Sequence, residues 1–228
     1  VVTGICKARD EAHIIGHTLD RWARYCDTIH VYDDASTDDT PGICEAHPSV
    51  VEVVRSTLVD SDRLRAEWFN RQQILQSALR FNPEWVVYFD ADEWPEGVDV
   101  GLMETADRID CLLYDVHITP DDVDGNPEDR QWVDPTPRHI PFFFRNRHLS
   151  FSMPDQRVMH HKPGRVAVSG KVKHYGKGWS VEQWEKKVEY YGNTFGRYAA
   201  KWRARKGRAV KHDYRSDFGK PLVRFDDV

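Results

Sequence analysis

The chain has 228 residues, 30% of them charged and 40% hydrophobic, and a net charge of −5. That length is enough to bury one sizeable core, with or without an extension. The acidic balance argues against a surface that binds nucleic acid as a whole, and the lack of a signal peptide or a membrane-length apolar run makes a cytoplasmic protein the expectation.

"VVTGICKA" reads as a buried first strand. It starts without Met, so a trimmed chain or a piece of a longer protein is expected. "RDEAHIIGHTLDRWARY" places Ile15, Leu19, Trp22 and Ala23 on one helical face. "DTIHVYDD" is a second strand, and "STDDTPGICEAH" is a loop feeding a short helix with Pro41 near its start. "SVVEVVRS" is a third strand. Residues 62–80 repeat Leu64, Trp68, Leu75 and Leu79 at helical spacing, and "WVVYF" is a fourth strand. Alternating strands and helices predict a parallel, Rossmann-like half. Ligands of such sheets bind beyond the carboxyl ends of the strands. Asp33–Asp34 and Asp90–Asp92 stand at two such ends and should face one crevice.

After residue 100 no convincing crossover helix intervenes until about 178, so an antiparallel or mixed region is expected. "SVEQ" at 180–183 is a capping box. Val181, Trp184, Val188, Tyr191, Phe195, Tyr198 and Trp202 then predict one amphipathic helix, or two broken at 192–193. The four cysteines show no paired spacing and read as reduced core residues. The eight tryptophans suit a sugar site or, as readily, a Trp-rich core.

The chemistry concentrates in "FDADEW". A buried strand runs into Asp90, Asp92 and Glu93, and like charges this close need a positive partner. An acidic strand end, a phosphatase with Asp90 as nucleophile, and a divalent-metal site all use such a pattern. Hard carboxylate oxygens that bridge Mg²⁺ or Mn²⁺ to a diphosphate fit it best. "DDASTDDT" offers Asp34, Ser36 and Asp38, and Glu45 follows, at calcium-loop positions, but Asp39 stands where that loop needs Gly. Asp33 and Asp34 instead suit hydrogen bonds from a base or ribose.

Taken in order, the motifs resemble glycosyltransferase family 2, in its bacterial and viral branch that decorates surface glycans. Glu11 in "ARDEA" matches the first motif, with Asp10 for the branch's Asn. "VYDDASTDDT" matches the second. Arg71 and Ala78 match the third, with Gln72 for Asn, and "FDADEW" matches the fourth. "FFFRN", "MPDQR" and "VKHYGKGWSVEQW" follow as the later elements, with Pro154 and Asp155 for the branch's frequent His-Glu. The resemblance covers about residues 2–205.

It implies an α/β GT-A fold: a Rossmann-like mixed sheet flanked by helices, with a C-terminal amphipathic helix. The chain would be one catalytic domain, with a nucleotide-binding half at 1–98, an acceptor half at 99–178 and a helical extension at 179–228. The implied donor is a UDP-, GDP- or dTDP-linked sugar, and the acceptor a glycan or a lipid-linked molecule. Arg9, Glu11, Asp33 and Asp34 would hold base and ribose, and Arg71 would face the diphosphate. Asp92 would bind Mn²⁺ or Mg²⁺, Asp90 would share metal and ribose, and His174 would be a third ligand or a diphosphate contact. Inversion needs one general base. Asp155 is the implied residue, with Asp122 or Asp124 as rivals. An inactive nucleotide- or glycan-binding module is the alternative. The basic stretch at 201–211 reads as a solvated helix end, an anionic-membrane contact or, less favoured, a nucleic-acid contact.

Overall fold

The structure is a computed structural model and describes residues 1–56, 63–152, 157, 159–160, 164–194 and 199–228, with backbone only at 63, 64 and 194. In chain order the elements are β1 (Val2–Ala8), α1 (Ile15–Trp22), β2 (Thr28–Asp34), α2 (Thr40–Ala46), β3 (Val50–Ser56), α3 (Arg63–Leu79), β4 (Trp85–Asp90), β5 (Glu93–Glu96) and β6 (Arg108–Asp115). Then come β7 (Trp132–Val133), β8 (Arg138–Arg145), β9 (Ser150–Phe151), β10 (Met159–His160) and β11 (Val166–His174). The chain closes with α4 (Val181–Thr194), α5 (Ala199–Arg203) and β12 (Val223–Arg224). Among the described residues no helix is long and apolar enough to cross a membrane.

Eight strands form one sheet in the order β3-β2-β1-β4-β8-β6-β11-β5. β2, β1 and β4 pair in parallel, whereas β8 runs antiparallel to β4, so the sheet is mixed. The fold is therefore α/β with a Rossmann-like half. Ala8 pairs with Asp33 and Lys7 with Asp90, which sets the carboxyl ends of these strands level.

The chain divides into two compact units, Val1–Cys111 with His139–Lys171, and Leu112–Arg138 with Val172–Val228. In the first unit α3 packs Ile74, Leu75 and Ala78 against Ile5, Val86 and Tyr88 of the sheet. Trp68 and Leu79 sit half-buried on this core, as the helical spacing predicts. In the second unit Trp184 and Val188 of α4 pack on Ile118 and Ala209. Ser180 caps α4, its Oγ accepting from the Gln183 N–H at 3.1 Å. The amphipathic stretch appears as two helices, with 195–198 outside the described residues. All four cysteines are buried thiols.

α1 ties the acidic turn after β4 to the core. Trp22 is fully buried and stacks on Phe89 at 4.7 Å and Phe142 at 5.4 Å between ring centroids. Its indole N–H donates to the Glu93 carbonyl at 2.7 Å. Thr18 donates to the Ala91 carbonyl at 2.5 Å and accepts from Trp94 Nε1 at 2.8 Å. Backbone polar groups left unpaired in such a place are costly.

Trp22→Ala should therefore lose about 3–5 kcal/mol of stability through the cavity and the orphaned carbonyl. Trp22→Phe, which keeps a ring but not the N–H, should lose about 1–3 kcal/mol. Urea unfolding midpoints of the two variants check both values.

Candidate functional site

Three loops at the carboxyl edge of β1, β2 and β4 hold most of the candidate residues. The loops after β1 and β2 are laced together. The Asp10 carboxylate accepts from the Thr37 N–H at 2.6 Å and the Thr37 hydroxyl at 3.0 Å. Asp10 N–H donates to Ser36 Oγ, Glu11 N–H to Thr40 Oγ1 and Ala12 N–H to Asp38. Both bonds from Thr37 fall on Asp10 Oδ1; an Asn oxygen could accept them too, but the carboxylate adds charge to each. Asp10 and Ala35 take positive φ values of 53° and 56°, which turn the chain sharply away from each strand end. Arg9 stands 3.6 Å from Asp10, and Glu11 lies 3.4 Å from His13.

Behind these loops runs a row of alternating charges. Asp34 is 1% exposed; it lies 3.2 Å from Lys7 Nζ and accepts from Asn70 Nδ2 at 2.8 Å. Lys7 also meets Glu67 at 2.7 Å, and Glu67 accepts from Arg71 at 2.8 Å. Arg71 then reaches Tyr88 OH at 2.5 Å and Asp90 at 3.7 Å. Tyr88 OH donates to Asp90 Oδ1 at 2.5 Å. Arg157 completes the row: Nη1 bonds Asp90 Oδ2, and Nη2 bonds Glu93 Oε2 at 2.8 Å. Glu93 also accepts the Asp90 N–H at 2.8 Å.

Arg157 and Arg71 thus supply the positive partner that "FDADEW" requires. Burial opposes charge on Asp90, but Arg157 and then Arg71 outweigh it and hold the carboxyl below its ordinary value. Burial likewise opposes charge on Glu67, and Lys7 and Arg71 hold it low. For Tyr88 burial wins and pushes the phenol up, which keeps it a proton donor to Asp90.

Arg9, Glu11, Asp33, Asp34, Arg71, Asp90 and Asp92 are all in the first unit, on these strand ends or on α3. Asp33 is 2% exposed and accepts from the Ser36 N–H. Asp92 is buried in the turn between β4 and β5. His174 belongs to the second unit, where its Nδ1 meets Asp115 at 2.6 Å and Arg138 at 3.2 Å. Asp122 is held there by the Thr119 N–H at 2.8 Å and Arg130 at 2.9 Å, so "DDVDG" is an anchored loop, while Asp124 is exposed. Asp155 lies outside the described residues.

Two of the additional partners had a local signal. Tyr88 shares a strand face with Asp90 two residues on, and Glu67 lies one helical turn before Arg71. Arg157 had none, because it reaches Asp90 from 67 residues away along the chain.

Among the described residues no group of three or more His, Cys, Asp or Glu side chains could by itself hold a metal ion. A cation at this edge would depend on few protein oxygens and on phosphate oxygens of a bound nucleotide, a mode that suits Mg²⁺. The hard carboxylate of Asp92 fits such a set; Asp90 is already engaged by two guanidinium groups.

No protein-family model matches the chain. It is similar to an uncharacterized protein of Mycobacterium bovis and to one of Mycobacterium tuberculosis, each 32% identical over 138 residues. The match covers 59% of this chain and 31% of those relatives, so it spans about a third of their length. Among solved structures, a mycobacterial protein aligns at a TM-score of 0.43 and 11% identity, over 98% of this chain and 82% of its own. A Desulfovibrio desulfuricans G20 protein, assigned provisionally as a nucleotide-diphospho-sugar transferase, aligns at 0.39 and 11%, over 92% and 98%. A 4-diphosphocytidyl-2C-methyl-D-erythritol synthase aligns at 0.36 and 11%, over 63% and 74%. These likenesses are too distant to bear on activity.

Arg157→Met removes the counter-charge of Asp90 and Glu93 and should cost about 2 kcal/mol at neutral pH, below the fully buried case because the pair is partly exposed. The acid-side pH dependence should weaken. In the wild type a lowered Asp90 pKa contributes stability above its ordinary pKa, and that contribution is lost as pH falls further. In the variant Arg71 and the Tyr88 hydroxyl remain beside Asp90 but the largest lowering influence is gone, so less stability should be lost on acidification. Urea unfolding across pH in both proteins measures this.

Proposed function

We propose that this chain is a glycosyltransferase that takes a sugar from a nucleotide-diphospho-sugar and transfers it to a hydroxyl of a glycan or lipid-linked acceptor. One observation carries the reading: Asp33, Asp34, Asp90 and Asp92 are gathered at the level carboxyl ends of parallel β2 and β4, with Arg71 beside them. That edge is where open α/β sheets bind nucleotides. The order of motifs shared with glycosyltransferase family 2 supports the same reading and its inverting outcome.

In this proposal Asp33, with Arg9 and Glu11 on the adjoining loop, receives base and ribose. Asp34 sits behind them, fixed by Lys7 and Asn70, and gives the strand end its shape. Arg71 and Arg157 offset the carboxylates of this edge where a diphosphate would approach, while Asp90 keeps both guanidinium groups in place. Asp92 would hold Mn²⁺ or Mg²⁺, which when bound would neutralise charge on the diphosphate leaving group. A general base takes the proton of the acceptor hydroxyl as its oxygen bonds the anomeric carbon and the bond to the diphosphate breaks on the opposite face. Asp155 is the residue proposed for that step.

A thermal-shift screen of nucleotide-sugars with and without Mn²⁺ tests the donor class. A donor at 100 times its Kd adds about 2.7 kcal/mol, a rise of roughly 5–11 °C for a chain this size. Asp92→Ala should lose the Mn²⁺-dependent part of that rise; an unchanged rise would refute the metal role. For the base, Asp155→Asn should bind donor as the wild type does yet turn over at least about 100-fold more slowly. Full activity in that variant would remove Asp155 from the mechanism.

A further inference from the structure

The basic stretch at 201–211 does not lie wholly on the surface. Lys201, Arg203, Lys206 and Arg208 are exposed, but Arg205 and Lys211 turn inward, their side chains 15% and 13% exposed. Arg205 Nη2 meets Asp217 Oδ2 at 2.8 Å and Lys211 Nζ meets Oδ1 at 2.6 Å. Lys177 Nζ adds a third contact to Asp217 at 2.8 Å and lies 3.5 Å from Asp115. Asp115 also pairs with Arg138 at 2.7 Å. Among the described residues this cluster sets four permanent cations, Arg138, Lys177, Arg205 and Lys211, against two carboxylates, Asp115 and Asp217. Three of those cations are largely removed from solvent. Partly buried positive charge in excess is unfavourable unless an anion joins it.

His117 is the second, independent observation. It is 1% exposed, and its Nε2 is buried with no hydrogen-bond partner among the described residues. Its backbone places it in the cluster. Asp115 and His117 alternate along an extended segment and so share a face. Val116 N–H bonds the His174 carbonyl on one side, and Lys211 N–H bonds the Ile118 carbonyl on the other. Burial, then Lys177, lowers the His117 pKa to about 4, so the ring is neutral at pH 7 and has one N–H to donate. Asp217 sits on a short hairpin, with Arg215 bridged to Pro221 and Gly219 at φ 76°. A turn of this kind can withdraw its carboxylate without disturbing α4.

We propose that Lys177, Arg205, Lys211 and His117 form an oxyanion site of phosphate class, which Asp217 occupies as an internal anion and which a ligand phosphate takes by displacing it. With Asp217 withdrawn the four cations face Asp115 alone, an excess of three positive charges that a phosphate dianion lowers to one. The inference rests on the second unit alone and stands whether or not the chain transfers sugars.

The test is calorimetric titration of inorganic phosphate and of methyl phosphate into the whole chain, its Asp217→Asn variant and the Arg205→Gln and Lys211→Gln variants. Circular dichroism checks that each is folded. Phosphate should bind saturably, about tenfold tighter in Asp217→Asn, where the competing charge is gone, and at least about tenfold weaker in the two cation variants. A Lys and Arg cluster that only staples the hairpin would give the opposite result for Asp217→Asn: lower stability and no gain in phosphate affinity. Binding of methyl phosphate as well as phosphate assigns the site to a phosphoryl group carried on a larger molecule, and binding of phosphate alone to the free ion. No saturable binding to folded Asp217→Asn, or equal binding by the cation variants, overturns the proposal.

Discussion

The pairing of buried and partly buried carboxylates with cations at one edge of the sheet is the constraint on which the candidate site depends. Asp34 and Asp90 at the ends of parallel strands, with Glu67 of α3 and Glu93 of β5 beside them, would repel one another. Lys7, Arg71 and Arg157 stand between them, so each acid has a cation and each cation touches two acids. An arrangement of this kind is fragile to loss of one member, since the others are left as buried unpaired charge. It also sets geometry, because guanidinium groups bond in fixed directions. The edge is therefore stiff before any ligand arrives.

That stiffness is anchored from beneath by α1. Thr18 and Trp22 hold the carbonyls of Ala91 and Glu93, so the acidic turn is fixed by two neutral side chains as well as by charge. The tryptophans follow the same logic. Trp22, Trp85, Trp94 and Trp184 are buried core residues; the Trp22 indole N–H reaches the turn at the Glu93 carbonyl, and that of Trp94 donates to Thr18 of α1. Of the two expectations for a Trp-rich chain, these four residues meet that of core packing, which here helps to position the site.

The second unit repeats the principle with the opposite sign. Asp115 and Asp217 are outnumbered by the cations around them, and burial's opposition to the Asp217 charge is overcome by Lys177 and Lys211. One chain thus carries an acid-rich edge balanced by arginine and a base-rich cluster balanced incompletely by aspartate. Net charge, which averages the two, describes neither.

What the sequence determined by itself is what local physics writes into it. Apolar runs, helical spacing and the Pro41 start signal placed β1–β4 and α1–α3, the Ser180 cap opened α4, and strand–helix alternation implied parallel strands with Asp33, Asp34, Asp90 and Asp92 at one edge. Those inferences need only neighbours along the chain and the handedness of crossovers. The sequence also showed that three acids after β4 required a cation. It did not show which cation. Arg157 comes from far along the chain, and Arg205 and Lys211 look, by spacing alone, like their exposed neighbours Lys206 and Arg208. Which charge faces which is decided by contacts between distant segments, and only the folded chain brings those segments together.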